Sequence, residues 1–451
     1  MNAFSIFMIL YVLLGTGIAI YAGKSRSKHA QESYFIGDRK MGWVVTSLTY
    51  AATTYSSFMM VGLVGLSYAT GVGAMLFELT YLIATVILLS TYGKKIWQLS
   101  QDKKLVSPME LFSDRFGKST GMVGAFISFG ALIPYTAAQI IGLSIVFQYF
   151  GVDYGTGVMV SALLICLWSI IGGLRSVAIT DAMQGLFMLA VACLALYWSG
   201  QHFHGFEMST FPNKVWTPEF FINITLPWAF FALTNPQVVQ RLFIIKDSHD
   251  FKKMVTLFTV VGCAYTLITC FIGFAAKSGS LQGLFPIVTA KDEVIVGVIS
   301  QAVGGLGIAI ALSIIFASVS TSNSIILTLS SMFTRDVLQN KESTWMGRIF
   351  IIVITIAVAC FAYFRTSYIV DLSVATSRIL LCFIPLFVDM FHVKKGGAIT
   401  GVLTLVGGVI GALVIGKLGL SLSSIYILVL NFILYGIGLA LDARQRALKV
   451  A

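Results

Sequence analysis

Residues 315–329 read IFASVSTSNSIILTL and lie inside an apolar run that extends from residue 295 to residue 333. A run of this length predicts a membrane-embedded helix, because about 20 apolar residues cross the hydrocarbon core of a bilayer. Hydrocarbon offers polar side chains no hydrogen-bond partner, so any polar residue in this run must find one inside the protein. The centre of the run nevertheless carries a dense polar cluster, which consists of Ser318, Ser320, Thr321, Ser322, Asn323 and Ser324.

Helical spacing places part of this polar cluster on one face, since Ser320 and Ser324 are four residues apart and Thr321 adjoins them. A buried face of hydroxyl oxygens with little charge suits a small hard cation such as sodium. The same pattern also fits hydroxyls that bond back to their own helix or that allow close helix packing. The stretch alone therefore predicts either a cation site or a packing seam.

The composition is that of a membrane protein with little else attached. Of its 451 residues, 57% are hydrophobic and only 11% are charged, and the mean hydropathy is +0.89. A soluble domain is typically about one quarter charged. The six cysteines fall within apolar segments and the five histidines are scattered, so neither residue type predicts a metal cluster.

Hydropathy predicts an all-α integral membrane protein with about 13 transmembrane helices. The first span is not expected to be a cleaved signal, because no basic residue precedes it and three follow it, namely Lys24, Arg26 and Lys28. The predicted spans are 3–22, 43–69, 72–92, 121–149, 155–173, 181–199, 219–242, 254–276, 295–333, 346–364, 367–390, 397–416 and 421–440.

The basic residues indicate the orientation of these spans. With the N-terminus outside, inner loops and span ends hold 24 of the 30 Lys and Arg residues, including Arg241, whereas outer loops hold five and Arg378 lies within a span. Basic residues collect in cytoplasmic loops, so the N-terminus is predicted outside and the C-terminus in the cytoplasm. The net charge of +11 is therefore a cytoplasmic rim and predicts no nucleic-acid partner.

Two predicted spans are interrupted by polar residues. Residues 51–57 read AATTYSS in the second span, and residues 234–237 read TNPQ in the seventh, where Pro236 removes a backbone donor. The two spans are five apart and so run in opposite directions. Discontinuous spans at matching places of two inverted repeats are typical of a secondary-transporter site. An ordinary proline kink and a packing seam are the alternative interpretation.

One stretch resembles a family signature closely. Residues 170–184 read IIGGLRSVAITDAMQ, similar to the GG turn and T-D-x-x-Q opening of the sodium:solute symporter family. Physically, Gly172 and Gly173 allow a tight turn, Thr180 can cap a helix, and Asp181 would sit at the positive end of that helix. Weaker family matches occur in order along the chain, at FIGDRKMG (35–42), Gln240-Arg241 and KGGAITG (395–401).

The resemblance implies a five-plus-five inverted repeat of the leucine-transporter type. The corresponding segments are 1–42 (an extra helix and loop), 43–200 and 201–393 (the repeats), and 394–451 (two further helices and a short tail). It also implies sodium coupling, with one sodium bound by Ala52, Tyr55, Ala317, Ser320 and Thr321. Some members hold a second sodium, for which Asp181, Ser320 and Ser324 match although Asn323 replaces a serine. A cytoplasmic helix-end charge is the alternative role of Asp181.

Several residues are candidate solute contacts. Glu78 is an ionisable residue within a span, where charge is costly and usually functional, and Phe77 precedes it; sugar-carrying members have a glutamate and an aromatic residue there. Arg378 lies seven residues after Asp371. It is expected either to form an internal ion pair with Asp371 or to bind a carboxylate solute through a two-pronged hydrogen bond. The two interrupted spans contribute the remaining candidates, which are Thr54, Ser56, Asn235 and Gln237.

The predicted function is sodium-coupled import of a small organic solute by alternating access, for example of a carboxylate, an amino acid or a vitamin such as pantothenate. A proton-coupled transporter with Glu78 or Asp181 as the proton carrier, and a sugar-type sodium symporter, remain alternatives. No nucleophile or metal motif of an intramembrane enzyme is present. The expected location is a plasma membrane, the inner membrane of a prokaryote. The expected partners are sodium, the solute and the bilayer, with the choice between monomer and oligomer left open.

Overall fold

The structure is a computed structural model that describes residues 3–24, 30–302, 304–364 and 367–450. The basic residues Arg26, Lys28 and Arg365 of the topology prediction lie outside these ranges. The described residues form helices and loops without a β-strand, and shorter 3-10 or π segments join several of the helices. The α-helices are α1 (Ala3–Lys24), α2 (Ala30–Ile36), α3 (Trp43–Thr54), α4 (Val64–Thr70), α5 (Val72–Leu88), α6 (Lys94–Asp102), α7 (Glu110–Phe116), α8 (Lys118–Tyr149), α9 (Tyr154–His202), α10 (Pro218–Ala229), α11 (Phe231–Thr234), α12 (Pro236–Phe243), α13 (Ser248–Leu281), α14 (Val294–Gln301), α15 (Leu306–Met332), α16 (Trp345–Tyr363), α17 (Ile369–Leu380), α18 (Ile384–Val388), α19 (Ala398–Lys417) and α20 (Ser423–Val450).

Ten helices of the described chain are long and apolar enough to cross a membrane. The helix α9 has 49 residues and would extend about 70 Å if it were straight, roughly twice the thickness of a bilayer core. It breaks at Gly173 (φ 62°, ψ −169°) into two spans. The interrupted segments α3–α4 and α10–α12 are two more spans, so the prediction of about 13 transmembrane helices is confirmed.

The break in α9 requires glycine at position 173. Its positive φ lies in the left-handed region, where other residues are strained. A Cβ at this position would lie 2.7 Å from the carbonyl oxygen of Tyr34. The Tyr34 hydroxyl in turn donates to the carbonyl of Ser169 at 2.7 Å, so α2 packs directly into the turn. The tight turn predicted at Gly172-Gly173 is thereby confirmed.

Both polar interruptions also break their helices as predicted. The helix α3 ends at Thr54, and Tyr55 (φ −90°, ψ 79°) leaves the helical conformation before a π segment begins at Phe58. In the other segment Asn235 is extended (φ −92°, ψ 109°), and Pro236 occupies the first turn of α12. Proline is tolerated at that position because its missing N–H would have no helical partner there.

The polar helix α15 is the most deeply buried long helix of the described chain, with 94% of its most apolar window inside the protein. It packs against both long helices α8 and α9 and against the interrupted segments through α3 and α12. The peripheral helices α1 and α20 have only 22% and 28% of such windows buried. Their exposed leucine, isoleucine and valine side chains form the surface expected to face lipid.

A parallel β-bridge joins the chain just before α3 to the chain just after α12. The backbone N–H of Met41 donates to the carbonyl of Ile244 at 3.2 Å, and the N–H of Lys246 donates to the carbonyl of Met41 at 3.2 Å. The two interrupted segments, far apart in sequence, are therefore hydrogen-bonded to each other at one end of the bundle.

Candidate functional site

The break in α3 meets the polar face of α15. Thr321 donates its hydroxyl hydrogen to the carbonyl oxygen of Ala52 at 3.0 Å, and the carbonyl of Thr53 lies 3.4 Å away. The last carbonyls of a helix have no partner in their own ladder, so the break makes these oxygens available. Thr321 thus occupies the position at which an ion could bind hydroxyl and carbonyl oxygens together.

The residues predicted to hold the first sodium are all buried, and they come from these two elements. Ala317 lies one turn before Thr321 on α15, and Tyr55 occupies the bend that follows α3. Oxygens without a formal charge suit weak and reversible binding of a monovalent cation, because a carboxylate ligand favours tighter holding or divalent ions. The relative exposures are 1% for Ala52, 2% for Tyr55, 0% for Ala317, 1% for Ser320 and 0% for Thr321.

Asp181 lies far from a helix end, contrary to the alternative role considered for it. It is completely buried within α9, eight residues after the break, and it accepts hydrogen bonds from Ser320 at 2.6 Å and Thr49 at 2.5 Å. Thr180 likewise caps no helix, because its hydroxyl donates to carbonyls of its own helix. The family motif therefore places a carboxylate in the protein core beside the candidate sodium site.

Arg241 is also buried, and its assignment to a cytoplasmic rim was wrong. The side chain is 0% exposed, and its Nη2 lies 3.9 Å from Oδ2 of Asp181. Its Nε donates to the Thr49 hydroxyl at 3.2 Å, and Nη2 also donates to the Ser324 hydroxyl. The candidate second-sodium residues Asp181 and Ser324 therefore contact an arginine.

Asn323, which replaces a serine of the family pattern, binds elsewhere. Its Oδ1 accepts a hydrogen bond from the Ser169 hydroxyl at 3.0 Å, which joins α15 to the first half of α9. The neighbouring Ser324 hydroxyl lies 3.0 Å from that of Thr53 in α3. Adjacent polar residues of α15 thus bond to two different helices.

Glu78 lies in an aromatic cluster between α5 and α10. Its Oε2 accepts a hydrogen bond from Nε1 of Trp228 at 3.2 Å, and its side chain is 1% exposed. The rings of Phe77 and Phe58 lie 6.1 Å and 4.9 Å from that of Trp228, between ring centroids. No basic side chain of the described residues forms an ion pair with Glu78. This arrangement differs from a structural ion pair.

The solute candidates of the interrupted segments are buried near the two breaks. Thr54 donates to the carbonyl of Tyr50 in its own helix, and Ser56 accepts from the N–H of Phe58. The amide nitrogen of Gln237 lies 3.5 Å from Oδ1 of Asn235, while Gln237 Oε1 is buried without a partner in the described chain. Unpaired buried oxygen is costly, so Gln237 has an acceptor available for a bound molecule.

Arg378 and Asp371 form no ion pair at contact distance among the described residues, which argues against the internal pair, the first of the two alternatives. Asp371 is exposed and Arg378 is half-buried, and both lie on the least buried face of α17. The buried Nε of Arg378 has no hydrogen-bond partner in the described chain. The helix α17 packs against α10 and the segment Phe58–Leu63, which flank the two breaks.

Ion pairs join several segments at the end of the bundle that carries the Met41–Ile245 bridge. Arg39 binds Glu32 at 2.6 Å and also donates to the carbonyl of Leu105, while Arg335 binds Glu110 at 2.7 Å. Burial lowers the pKa of the Arg39 guanidinium below its usual value, and the charge of Glu32 partly offsets this effect. The first contacts join the chain before α3 to the loop before α7, and the second joins the start of α7 to the π segment that follows α15.

Sequence reasoning missed Thr49 and Trp228. Thr49 lies one turn before Thr53 on the same face of α3, so the helical spacing of the polar residues could have found it. Trp228 lies two turns before Asn235 in the interrupted segment, and no sequence signal pairs it with Glu78.

Comparison with known proteins agrees with this geometry. A family model described as the sodium:solute symporter family matches residues 34–407. The chain is 25% identical to the sodium/pantothenate symporter of Haemophilus influenzae, over 73% of this chain and 71% of that protein. It is 24% identical to the osmoregulated proline transporter of Bacillus subtilis, over 75% of this chain and 74% of that protein.

A solved structure of a Na+-coupled sialic acid symporter, in a substrate-bound outward-open state, has the same fold. It superposes with a TM-score of 0.82 at 18% sequence identity and covers 98% of both chains. One family assignment accounts for the interrupted helices, the buried Asp181 and the matched span of residues. The chain belongs to the sodium:solute symporter family and has the leucine-transporter-type fold.

Proposed function

We propose that this protein imports a small organic carboxylate together with sodium. Family membership makes the chain a sodium-coupled solute symporter of the membrane and not an enzyme. The single observation that supports a carboxylate is Arg378, a half-buried arginine on a membrane-spanning helix that has no acidic residue at ion-pair contact distance in the described chain. A charge within a span is costly and usually serves a ligand or a partner.

The chemistry of the relatives supports the same solute class. Pantothenate and proline, which name the two curated relatives, both carry a carboxylate. An arginine binds a carboxylate with two parallel N–H···O bonds. These bonds fix the orientation of the carboxylate, and the guanidinium neutralises its negative charge. Thr54, Ser56, Asn235 and Gln237 would then contact the rest of the solute.

Sodium would bind where α3 meets α15, at Ala52, Tyr55, Ala317, Ser320 and Thr321. Occupancy joins the two helices, so sodium stabilises the conformations in which they are together. One charge that moves inward across ~100 mV contributes about 2.3 kcal/mol. A tenfold sodium gradient adds about 1.4 kcal/mol, and together these suffice for a solute concentration ratio on the order of several hundred.

A second candidate function rests on Glu78. A carboxyl group beside Trp228, Phe77 and Phe58 could bind a sugar through hydrogen bonds and ring stacking, or could carry a proton in place of sodium. The sugar alternative predicts uptake of a neutral polyhydroxyl solute, and the proton alternative predicts uptake driven by a pH gradient without sodium. The uptake experiment below separates both from the carboxylate proposal.

The proposed function is tested by uptake into proteoliposomes that contain the purified protein. Radiolabelled pantothenate, proline, short monocarboxylates and glucose are offered with a sodium gradient, with a pH gradient alone, or with neither. We expect one of the carboxylates to accumulate under the sodium gradient only. Accumulation of glucose, or of any solute under a pH gradient alone, would contradict the proposal.

We further propose that the N-terminus lies outside the cell and the C-terminus in the cytoplasm of a prokaryote. The repeats of this arrangement comprise residues 43–200 and 201–393, preceded by 1–42 and followed by 394–451. The end that carries the Arg39 and Arg335 ion pairs would then face the cytoplasm. The rim of basic residues supports this orientation, with Arg241 removed from the set.

Topology reporters give a direct check of this orientation. A reporter enzyme that is active only in the cytoplasm should be active when fused to the C-terminus, and inactive when inserted in the loop between α9 and α10. Insertion of a reporter active only outside should give the reverse pattern at both sites. A C-terminus on the same side as the loop between α9 and α10 would mean an even number of spans between them and would contradict the repeat arrangement, whereas a cytoplasmic loop with an external C-terminus would contradict the orientation.

A further inference from the structure

A cavity lies on the side of the bundle where α1 packs against α9. Its volume is about 230 Å³, and the aromatic rings of Tyr11, Phe187 and Phe316 form part of its wall. The ring of Phe316 lies 4.4 Å from that of Tyr11 and 5.0 Å from that of Phe187, between ring centroids. An engineered apolar cavity of about 150 Å³ in another protein binds benzene, so this cavity has room for a ring-shaped molecule.

The cavity opens toward the surface that is expected to face lipid. Leu14 of α1 and Met183 of α9 both line it, and they are 58% and 50% exposed. A molecule dissolved in the bilayer can therefore enter from the side. None of the described residues that line the cavity is charged. A charged occupant would lose its hydration without gaining a counter-charge, so the occupant should be neutral.

Gln184 supplies a polar group in this apolar lining. Its side chain is 6% exposed, and its Nε2 donates to the Tyr11 hydroxyl at 2.8 Å. Its Oε1 is buried and accepts no hydrogen bond in the described chain. A buried acceptor without a donor is costly, and the hydrocarbon of a bilayer contains no water that could supply one. The cavity therefore favours an occupant that donates a hydrogen to Oε1 of Gln184.

The Tyr11 hydroxyl narrows the choice of donor. It accepts the bond from Gln184 and donates to no other residue of the described chain. A hydroxyl group on the occupant has one hydrogen to donate and lone pairs to accept, so it can bond to both Gln184 and Tyr11. A lipid acyl chain has neither capacity. The cavity lies near the middle of α1 (Ala3–Lys24), about 15 Å from the lipid headgroups of a ~30 Å bilayer core.

We propose that this cavity is a binding site for a neutral, membrane-soluble molecule of the phenol class. Its ring would pack among Tyr11, Phe187 and Phe316, since aromatic rings favour stacked and edge-to-face contacts, and its hydroxyl would donate to Gln184 Oε1. None of the residues that line the cavity belongs to the proposed sodium or solute sets. The site is therefore independent of the proposed transport function.

Binding of tritiated 1-naphthol to the purified full-length protein in phospholipid nanodiscs tests the site, with empty nanodiscs as the background. We expect one saturable site per chain. The competitor 1-methoxynaphthalene, in which a methyl group replaces the hydroxyl hydrogen, should bind roughly tenfold more weakly than 1-naphthol. Absence of saturable binding would show that lipid chains alone fill the cavity, and equal competition by the two molecules would remove the role of the hydroxyl. Either result would overturn the proposal.

Gln184→Leu tests whether the hydroxyl is recognised at Gln184. Leucine approximates the shape of the side chain but has no acceptor, so 1-naphthol and 1-methoxynaphthalene should compete equally for this variant. A purely structural role of Gln184 would change the affinity for both molecules alike and leave their ratio as it is in the natural protein. A preference for 1-naphthol that persists in Gln184→Leu would therefore contradict the proposal.

A second pair of variants locates the site without altering the buried glutamine, and keeps the test decisive if Gln184→Leu does not fold. Leu14→Trp places a larger side chain at the exposed rim, where it should fill the cavity and abolish saturable binding of 1-naphthol. Leu13→Trp is the matched control, because Leu13 is 64% exposed on the same helix and lies outside the lining. It should retain the natural affinity. Binding that survives in Leu14→Trp, or is lost equally in both variants, would refute this location.

Discussion

Thr321→Ala is expected to raise the half-saturating sodium concentration by roughly tenfold or more. The Thr321 hydroxyl lies 3.0 Å from the Ala52 carbonyl, where the break in α3 meets α15. Loss of a hydrogen-bonding or ligating group that faces a charge costs on the order of 1.5–3 kcal/mol, and 1.4 kcal/mol corresponds to a factor of ten in affinity. Thr321→Val should behave alike, because it keeps the shape of the side chain and removes only the oxygen.

The measurement is the binding of 22Na+ as a function of its concentration. Ser318→Ala is the matched control, since the Ser318 hydroxyl lies on the same helix and donates only to the carbonyl of Ile314. It should leave sodium affinity unchanged. Unaltered sodium binding in both Thr321→Ala and Ser320→Ala would show that the ion binds elsewhere. That result would contradict the set of sodium ligands implied by the family.

Arg378→Lys is expected to weaken solute affinity by roughly tenfold or more, while sodium affinity changes little. Lysine keeps the positive charge but cannot form the two parallel hydrogen bonds that a guanidinium makes with a carboxylate. Such charged hydrogen bonds contribute about 1.5–3 kcal/mol. Competition binding or uptake, with the carboxylate that the proteoliposome screen selects, measures the solute affinity at saturating sodium.

Asp371→Asn is the control for Arg378. The two side chains share a face of α17 but form no ion pair in the described chain, so this change should leave solute affinity nearly unaltered. An equal loss of protein stability in Asp371→Asn and Arg378→Lys would favour the internal pair. The role of Arg378 in solute binding would then be abandoned.

Much of the fold followed from local chemistry that the sequence displays. Apolar length predicted the spans, Gly172-Gly173 predicted the turn within α9, and Pro236 predicted the break between α11 and α12. The contact between Thr321 and Ala52 was also anticipated, although it joins residues 269 positions apart. That anticipation came from the family resemblance, because spacing within one helix carries no information about another helix.

The electrostatics of the core could not be predicted in this way. Arg241 lies at the end of an apolar segment, so hydropathy assigns it to the cytoplasmic rim. In the structure it instead contacts Asp181 of α9 and Thr49 of α3. The absence of a contact ion pair between Asp371 and Arg378, one of the two alternatives considered for Arg378, has a geometric cause. Seven residues along a helix correspond to a rise of about 10 Å, beyond the reach of a direct ion pair, whereas neighbours four apart meet easily.

The bridge between Met41 and Ile245 has a mechanical consequence. Its hydrogen bonds are made by the main chain, so they persist whatever side chains occupy these positions. It connects the entry of α3 to the exit of α12, which are the first half of one interrupted span and the second half of the other. We expect the two half-helices to tilt as one body, so that a path at this end of the bundle opens beside both of them in a single movement.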